Sequence, residues 1–252
     1  MEALNSFIQK YMGLGFTVPL LLVGMVMYIS WTAAYYFIVT SCRQQKSYGV
    51  PFVCLCFNVI WECIFTFQLA GQNLAPFFRI GNGIWFLVDV VILSEFLKFG
   101  RDVQIYPLVK KHFYLVVAGT LTLCGTGLYT FTFFYGDSTG AASSMTMNLV
   151  MSILYIFMLF GRYDDLRGLS YEAAWCKMIG TGAGSVFLYF WLPRQYVNGI
   201  LYDWNNTPHQ PTIHQPSTFS HMHFLFISIF LIDCTYIYLL GQRRTELAAQ
   251  KA

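Results

Sequence analysis

Four small or polar side chains recur at intervals of four residues within the apolar stretch 50–69: Cys54, Asn58, Glu62 and Thr66. On a helix this spacing places them along one face. An ionised carboxylate in such surroundings is costly, so burial favours the neutral acid. A carboxylic acid that stays neutral at pH 7 can act as a general acid. The alternative is that Asn58 and Glu62 only hydrogen-bond to neighbouring helices.

Three further acidic residues lie in apolar stretches: Asp89, Glu95 and Asp233. Counting about 1.5 Å per helical residue places Asp89 at the depth of Glu62, where it could face the same cavity. The same count places Asp233 roughly 10 Å nearer the opposite end of the bundle. Glu95 stands one turn from Lys98, which predicts an ion pair at the membrane interface. Intramembrane acids are functional candidates by default.

Aromatic residues make up 19% of the chain. Five lie close in sequence to the buried acids: Trp61, Trp85, Phe86, Tyr236 and Tyr238. Aromatic faces stabilise a cation without supplying a nucleophile that would quench it. The alternative is that these rings fill the core or face lipid. A buried acid beside aromatic rings is the equipment that carbocation chemistry requires.

Membrane helices must position these residues, because 56% of the chain is hydrophobic and only 11% is charged, far from the composition of soluble proteins. The apolar residues fall in blocks near the length that crosses a bilayer. The sequence predicts an all-α, seven-transmembrane helix bundle in one domain, 1–252. The predicted spans are 17–39, 50–69, 80–97, 113–134, 145–161, 173–193 and 219–240.

The basic residues are distributed unequally between the two ends of the predicted bundle. Only Lys10, Arg79 and Arg194 fall on one side; the other twelve, Lys177 included, fall on the opposite side. The positive-inside rule then predicts a lumenal N-terminus and a cytosolic C-terminus. This asymmetry accounts for the net charge of +3 without a nucleic-acid partner.

Three regions raise the question of metal or ligand binding. The loop 194–222 carries histidines that could bind a metal or belong to a lid over the lumenal mouth. The segment Asp164-Asp165-Leu166-Arg167 lacks the Asp-Asp-x-x-Asp pattern of magnesium-dependent terpene synthases. The run GTGAGS at 180–185 could suggest a phosphate-binding loop, but it lies inside an apolar span. Gly180 and Gly184 therefore predict close helix packing instead. We expect no metal and no cofactor.

Four segments of the chain resemble the fungal integral-membrane terpene cyclases of meroterpenoid and indole-diterpene pathways, the pyripyropene cyclase and paspaline synthase type. They are SYGVPFVCLCFNVIWE (47–62), LKFG (97–100), RGLSYEAAW (167–175) and LID (231–233). The resemblance implies a lipophilic substrate, a prenylated precursor with a terminal epoxide, and ring closure that starts by protonation without metal. It also implies a prenyltransferase and a flavin epoxidase as pathway enzymes and, in a fungus, the endoplasmic reticulum membrane.

The resemblance assigns the catalytic acids to Glu62 and Asp233. Our hypothesis is that Glu62, oriented by Asn58, donates the proton, while Asp233 polarises it, shares its proton or returns one. Asp89 would complete the polar end of the cavity. The cation would be flanked by Trp61, Trp85 and Tyr236. Depth alone favours Asp89 as the partner of Glu62, whereas the resemblance favours Asp233.

Two other functions fit seven spans. A receptor is one, although the last predicted span has no lysine for a retinal Schiff base, and the third ends in KFGRD rather than Asp-Arg-Tyr. A proton-coupled transporter is the other, because transporters also use buried acids. The chain shows no internal repeat of the kind common in transporters.

Overall fold

The computed structural model describes residues 7, 17–72, 74–104, 106–134, 136–197 and 217–250, without the side chains of 193–197 and 217–220. All regular structure in these ranges is helical, which confirms the all-α prediction. The helices are α1 (Val18–Gln45), α2 (Phe52–Phe67), α3 (Pro76–Phe99), α4 (Pro107–Lys111), α5 (Phe113–Phe134), α6 (Ala141–Gly161), α7 (Tyr171–Val197) and α8 (Ser217–Ala249).

Seven long helices coincide with the seven predicted segments. Five of them are long and apolar enough to cross a membrane: α1, α3, α5, α6 and, within α8, residues His221–Ala249. Helix α2 is apolar but has only 16 residues. Helix α7 has 27 residues, and Lys177 and three glycines lower its hydropathy. The molecule is therefore an integral-membrane helical protein.

The largest differences from the predicted spans are at the ends of the first and last helices. Helix α1 continues to Gln45 and stops where Lys46 adopts a left-handed conformation, φ 49°. Helix α8 continues to Ala249, so that its polar last turns extend beyond the apolar block that the prediction was based on. The loop predicted at 194–222 is shortened from both sides. Its predicted lid and metal site lie mostly outside the described residues.

The helices enclose a common interior. Helix α1 packs against α7 and α3, α2 packs against α3, α5 and α6, and α8 packs against α6 and α7. The α1–α7 contact is close, as the glycine spacing predicts: a Cβ at Gly180 would lie 2.7 Å from Trp31 Cδ1, and one at Gly184 3.1 Å from Met27 Sδ. The interior thus lies between α1, α2 and α3 on one side and α6, α7 and α8 on the other.

The predicted pair of Glu95 with Lys98 is wrong. Glu95 is buried and accepts a hydrogen bond from Arg43 Nε on α1 at 2.6 Å. Lys98 instead lies over the ring of Phe99, 4.9 Å from its centroid. Because Glu95 points toward α1 rather than toward the exposed face of α3 that carries Lys98, its partner is Arg43 of the neighbouring helix.

Candidate active site

Glu62 lies within α2 and faces the interior of the bundle. Its side chain is 4% exposed, and its Oε2 has no hydrogen-bond partner among the described residues. The expected hydrogen bond from Asn58 is not formed; Asn58 lines the same cavity as Glu62, together with Tyr35 of α1. The acid is therefore held by packing and keeps an oxygen available for a ligand.

Asp89 approaches Glu62 from α3, as the depth count predicts. It is 1% exposed, and neither carboxylate oxygen has a hydrogen-bond partner in the described part of the chain. The helices that carry the two buried acids pack against each other. Asp89, the partner that depth favours, thus lies on a helix adjacent to that of Glu62.

A cavity of about 130 Å³ adjoins Glu62. Aromatic side chains form the largest group in its lining, and polar side chains form the second largest. The aromatic residues are Tyr28, Trp31, Tyr35, Trp61, Phe78, Trp85, Phe187 and Trp191. The polar residues are Asn58, Glu62, Asn82, Thr139, Ser144 and Asn148. The predicted residues Asn58, Trp61 and Trp85 therefore share one cavity with Glu62, whereas Asp89 stands one turn beyond Trp85, outside the lining.

The two predicted tryptophans are held by their indole N–H groups. Trp61 donates to Ser143 Oγ at 2.8 Å and stacks on Phe65, with ring centroids 4.4 Å apart. Trp85 donates to Thr32 Oγ1 at 3.2 Å. With both indole N–H groups engaged, the rings contribute apolar surface to the cavity in fixed positions.

The start of α6 fixes the position of Trp61. Gly140 precedes this helix at φ +72°, where a Cβ would lie only 2.5 Å from Trp61 Cζ2, so a side chain is excluded. Asp137 accepts hydrogen bonds from the backbone N–H groups of Ala142 at 3.2 Å and Ser143 at 2.9 Å. Ser143 is the residue that holds Trp61. Burial raises the pKa of Asp137, although these hydrogen bonds oppose the shift.

Replacing Asp137 with alanine should destabilise the protein by about 0.5–2 kcal/mol, because the first turn of α6 loses its capping acceptor. Thermal unfolding of the detergent-solubilised protein, followed by tryptophan fluorescence, measures this loss. Asp102→Ala is the matched control, because Asp102 is exposed and its side chain makes no hydrogen bond to a described residue. Equal midpoints for the two variants would contradict the capping role.

The raised pKa of Asp137 also fixes the sign of a pH dependence. Because the pKa of Asp137 is higher in the folded than in the unfolded protein, its carboxyl contributes its full stabilisation only below the ordinary pKa of about 3.9. This stabilisation is lost as the pH rises through the pKa of Asp137 in the folded protein. The stability of wild type relative to Asp137→Asn should therefore fall as pH rises. Unfolding midpoints measured across a pH series test this, and a difference that grows with pH would contradict it.

The structure does not bring Asp233 to Glu62. Asp233 on α8 is 3% exposed and Lys177 on α7 is 5% exposed. Lys177 Nζ lies 2.7 Å from both carboxylate oxygens of Asp233 and donates to Ser152 Oγ on α6 at 2.8 Å. A buried ion pair thus joins three helices where the sequence suggested a partner of Glu62.

A second, smaller cavity of about 20 Å³ lies beside the ion pair. Lys177 and Tyr236 line it, and Asn58 and Tyr35 line it as well as the larger cavity. Tyr236 packs on Tyr155, with ring centroids 5.2 Å apart, and is absent from the lining beside Glu62. Of the predicted residues, Tyr236 therefore belongs to the second cavity, whereas Asp233 is related to it only through its partner Lys177.

Sequence reasoning missed Lys177, which it counted among the cytosolic charges. The signal was available: a lysine stands inside the predicted span 173–193 while an acid stands in the next predicted span. It also missed Asn82, which stands one turn before Trp85 and two turns before Asp89 on the inner face of α3. Within the described residues, no group of three or more His, Cys, Asp or Glu side chains could hold a metal ion.

Comparisons with known proteins agree on one family. A family model described as Pyr4-like transmembrane terpene cyclases matches residues 9–242. The Pyr4-family terpene cyclase mfmH of Annulohypoxylon moriforme is 28% identical over 215 residues, 82% of this chain and 79% of its own length. Terpene cyclase macJ of Penicillium terrestre is 26% identical over 181 residues, 70% of this chain and 68% of its own.

A third relative, asnovolin H synthase nvfL of Aspergillus novofumigatus, is 26% identical over 155 residues, 61% of this chain and 63% of its own length. No solved structure matches the chain. The family model covers almost the whole bundle, including both cavities and all the acids described above. The chain therefore belongs to the Pyr4-like transmembrane terpene cyclases.

Proposed function

We propose that this membrane terpene cyclase protonates the terminal epoxide of a prenylated aromatic precursor and closes the resulting cation into fused rings. The observation that carries the proposal is the placement of Glu62: a buried acid, with one oxygen unpartnered, on the wall of an aromatic cavity. The reaction class is non-metal cyclisation of an isomerase or lyase type.

The acid in this mechanism is the neutral Glu62 carboxyl. An ionised Glu62 would be buried without a hydrogen bond to Oε2, at a cost that a neutral carboxyl avoids. Glu62 gives its proton to the epoxide oxygen, the bond from that oxygen to the tertiary carbon breaks, and the oxygen becomes a hydroxyl group. Successive alkene bonds then attack the cation until a proton is lost from carbon, or until a hydroxyl oxygen of the substrate captures the cation and releases its own proton. Because a proton enters and a proton leaves, the product is an isomer of the substrate.

Asp89, buried on the helix that packs against α2, is the acid that we assign to act with Glu62. Two buried carboxyl groups that face each other cannot both be ionised cheaply, so they would titrate as a pair that shares its protons. In the proposed cycle Asp89 holds a proton while Glu62 donates one. After release of product, the pair takes up the lost proton.

The rings around the cavity stabilise the moving positive charge. Trp61 and Trp85 are held by their N–H groups and offer π faces, each worth about 0.5–2 kcal/mol to a desolvated cation. No lysine or cysteine lines this cavity, so its described wall lacks the strongest nucleophiles that could trap the cation.

The pair of Asp233 and Lys177 acts at a distance in this proposal. Asn58 and Tyr35 line both cavities, so a shift of Lys177 changes the packing that positions Glu62. Of the three roles considered for Asp233, return of a proton through the second cavity fits this arrangement best. Tyr236 shapes that cavity rather than flanking the cation that forms beside Glu62.

We infer that all seven long helices cross the bilayer, with the N-terminus lumenal and the C-terminus cytosolic, in the endoplasmic reticulum. The positive-inside bias supports this orientation. The partners we propose are the lipid bilayer and a lipophilic prenyl epoxide. Two enzymes would make that substrate. A prenyltransferase would attach the prenyl chain, and a flavin epoxidase would then convert its terminal alkene into the epoxide.

Microsomes that contain the protein test the reaction. We expect a terminally epoxidised farnesyl phenol to give a cyclised isomer, and the same phenol without the epoxide to remain unchanged. Farnesyl diphosphate with magnesium should also give no cyclic product. Cyclisation of the diphosphate, or no conversion across epoxidised phenol, polyketide and indole precursors, would contradict the proposal and reopen the receptor and transporter alternatives.

A further inference from the structure

A large groove lies on the outer surface between α1 and α3. Its volume is about 760 Å³, and it is open to the surroundings of the bundle. Ile29 and Ile80 on its rim are each 64% exposed. The remaining lining is almost entirely apolar and includes Met25, Ala33, Tyr36 and Ile84. In a membrane this groove faces the hydrocarbon of the lipid.

The groove and the cavity beside Glu62 share a wall made of two side chains. Tyr28 and Trp85 line both spaces, with ring centroids 4.5 Å apart at an interplanar angle of 32°. Removing or turning these two rings would join the groove to the cavity. In the described structure, these two rings are thus the lining that the groove and the acid-bearing cavity have in common.

The shared wall has its own supporting contacts. Thr32, on the groove side, accepts the hydrogen bond from Trp85 Nε1. Gly81 leaves room for Tyr28: a Cβ at this position would lie 2.4 Å from Tyr28 Cε1. The hydroxyl of Thr32 and the absence of a side chain at Gly81 therefore set the positions of the two rings.

The two volumes differ in what they can hold. Small-molecule sites commonly measure about 300–1,000 Å³, and the cavity at Glu62 is well below this range. The groove lies within it and is nearly devoid of polar groups. An isoprenoid chain with an aromatic head would exceed the inner cavity but fit the two spaces joined.

We propose that this groove binds the isoprenoid chain of the substrate and admits it from the bilayer, between α1 and α3, past Tyr28 and Trp85. This inference rests on the proposed function, because it takes the prenyl chain as the occupant. Continuity with the acid-bearing cavity favours this chain over a bilayer lipid. A lipid has no group that requires access to Glu62.

Photolabelling tests the route without requiring catalysis. The probe is a farnesyl phenol with a diazirine at the far end of its chain, applied to the full-length protein in phosphatidylcholine nanodiscs. We expect labels on the groove face of α1 and on Met147 in the inner cavity, both removed by excess unlabelled farnesyl phenol. An absence of these labels in wild type, or labels that only added phospholipid removes, would overturn the proposal.

Two bulky substitutions should close the groove, and a third one, outside the groove, serves as the matched control. Ala33→Trp should abolish labelling of Met147, and Ile84→Trp, at a position already 51% exposed, should do the same if Ala33→Trp does not fold. Ala118→Trp on the exposed face of α5 should leave the labelling unchanged. Unchanged labelling of Met147 in a folded groove variant would contradict lateral entry.

The Glu62→Gln variant separates this inference from the proposed function. Since labelling needs no proton transfer, Glu62→Gln should label like wild type. Normal labelling with no cyclisation of any epoxide by wild type would refute the proposed reaction and leave the groove as a prenyl-binding site. Cyclisation at the wild-type rate by Ala33→Trp would refute the groove as the entry route and leave the reaction intact.

Discussion

Glu62→Gln should reduce the rate of epoxide cyclisation by about 10²- to 10⁴-fold, the contribution expected of a general acid. Glutamine has nearly the same shape as the neutral acid but cannot donate a carboxyl proton. Because Oε2 of Glu62 has no hydrogen-bond partner in the described structure, the amide should be accommodated without loss of folding. Product formation under single-turnover conditions in microsomes measures the effect.

Glu95→Gln is the matched control for this substitution. Glu95 is also buried, but it pairs with Arg43 and is absent from the lining of the cavity. Its variant should retain cyclisation in proportion to the folded protein. Glu62→Gln activity within a few-fold of wild type would place the acid elsewhere, and Asp89 would be the first candidate.

Asp89→Asn distinguishes the two possible partners of Glu62. If Asp89 shares protons with Glu62, its amide should lower the rate and change the pH dependence of cyclisation. A structural role would lower the amount of folded protein without moving the pH profile. Full activity of Asp89→Asn together with loss in a folded Asp233→Asn would favour the pairing that the family resemblance implies.

Lys177→Met should destabilise the protein by about 3–5 kcal/mol, because it leaves the Asp233 carboxylate buried without its partner. Asp233→Asn alone should also be destabilising, because it leaves the Lys177 ammonium group buried without its partner. The double variant, Lys177→Met with Asp233→Asn, should recover most of the loss, since it removes both buried charges. Thermal unfolding in nanodiscs, followed by tryptophan fluorescence, measures all three variants.

The exposed pair of Arg244 and Glu172 provides the control for this cycle. Their atoms are 3.4 Å apart, and both side chains are about half exposed. Such pairs contribute little, about 0–1 kcal/mol, so Arg244→Met should shift the midpoint slightly. If the double variant of the buried pair were as unstable as the sum of the single variants, the two residues would not be coupled and the ion pair would lose its assigned role.

Hydropathy and helical spacing predicted most of the fold, because both depend on local sequence. Helix α5 ends where predicted, at Phe134, and every long helix begins within four residues of its prediction. The same spacing predicted that Asn58 and Glu62 share a face of α2, and both line one cavity. Depth counting placed Asp89 level with Glu62, because two antiparallel spans of known ends fix the relative height of their residues, and Asp89 is buried on the adjacent helix.

Side-chain contacts between helices could not be established in the same way, although the sequence offered Lys177 and Asp233 as a possible pair. Nothing local to α8 indicates that Asp233 faces Lys177, because the contact depends on how α7 and α8 are rotated against each other. Tyr28 was one of 17 tyrosines, and its place between the groove and the cavity depends on the packing of α1 on α3. Tertiary contacts, rather than composition, therefore distinguished two polar regions where the sequence suggested one.

The most direct measurement follows the epoxide oxygen through one turnover of the purified protein, in nanodiscs with EDTA, using a substrate whose epoxide oxygen carries a heavy isotope. Epoxide protonation by Glu62 predicts a cyclic product with the mass of the substrate and the heavy isotope in a new hydroxyl group. A product heavier by one water, a product that has lost the isotope, or a requirement for metal would contradict this mechanism.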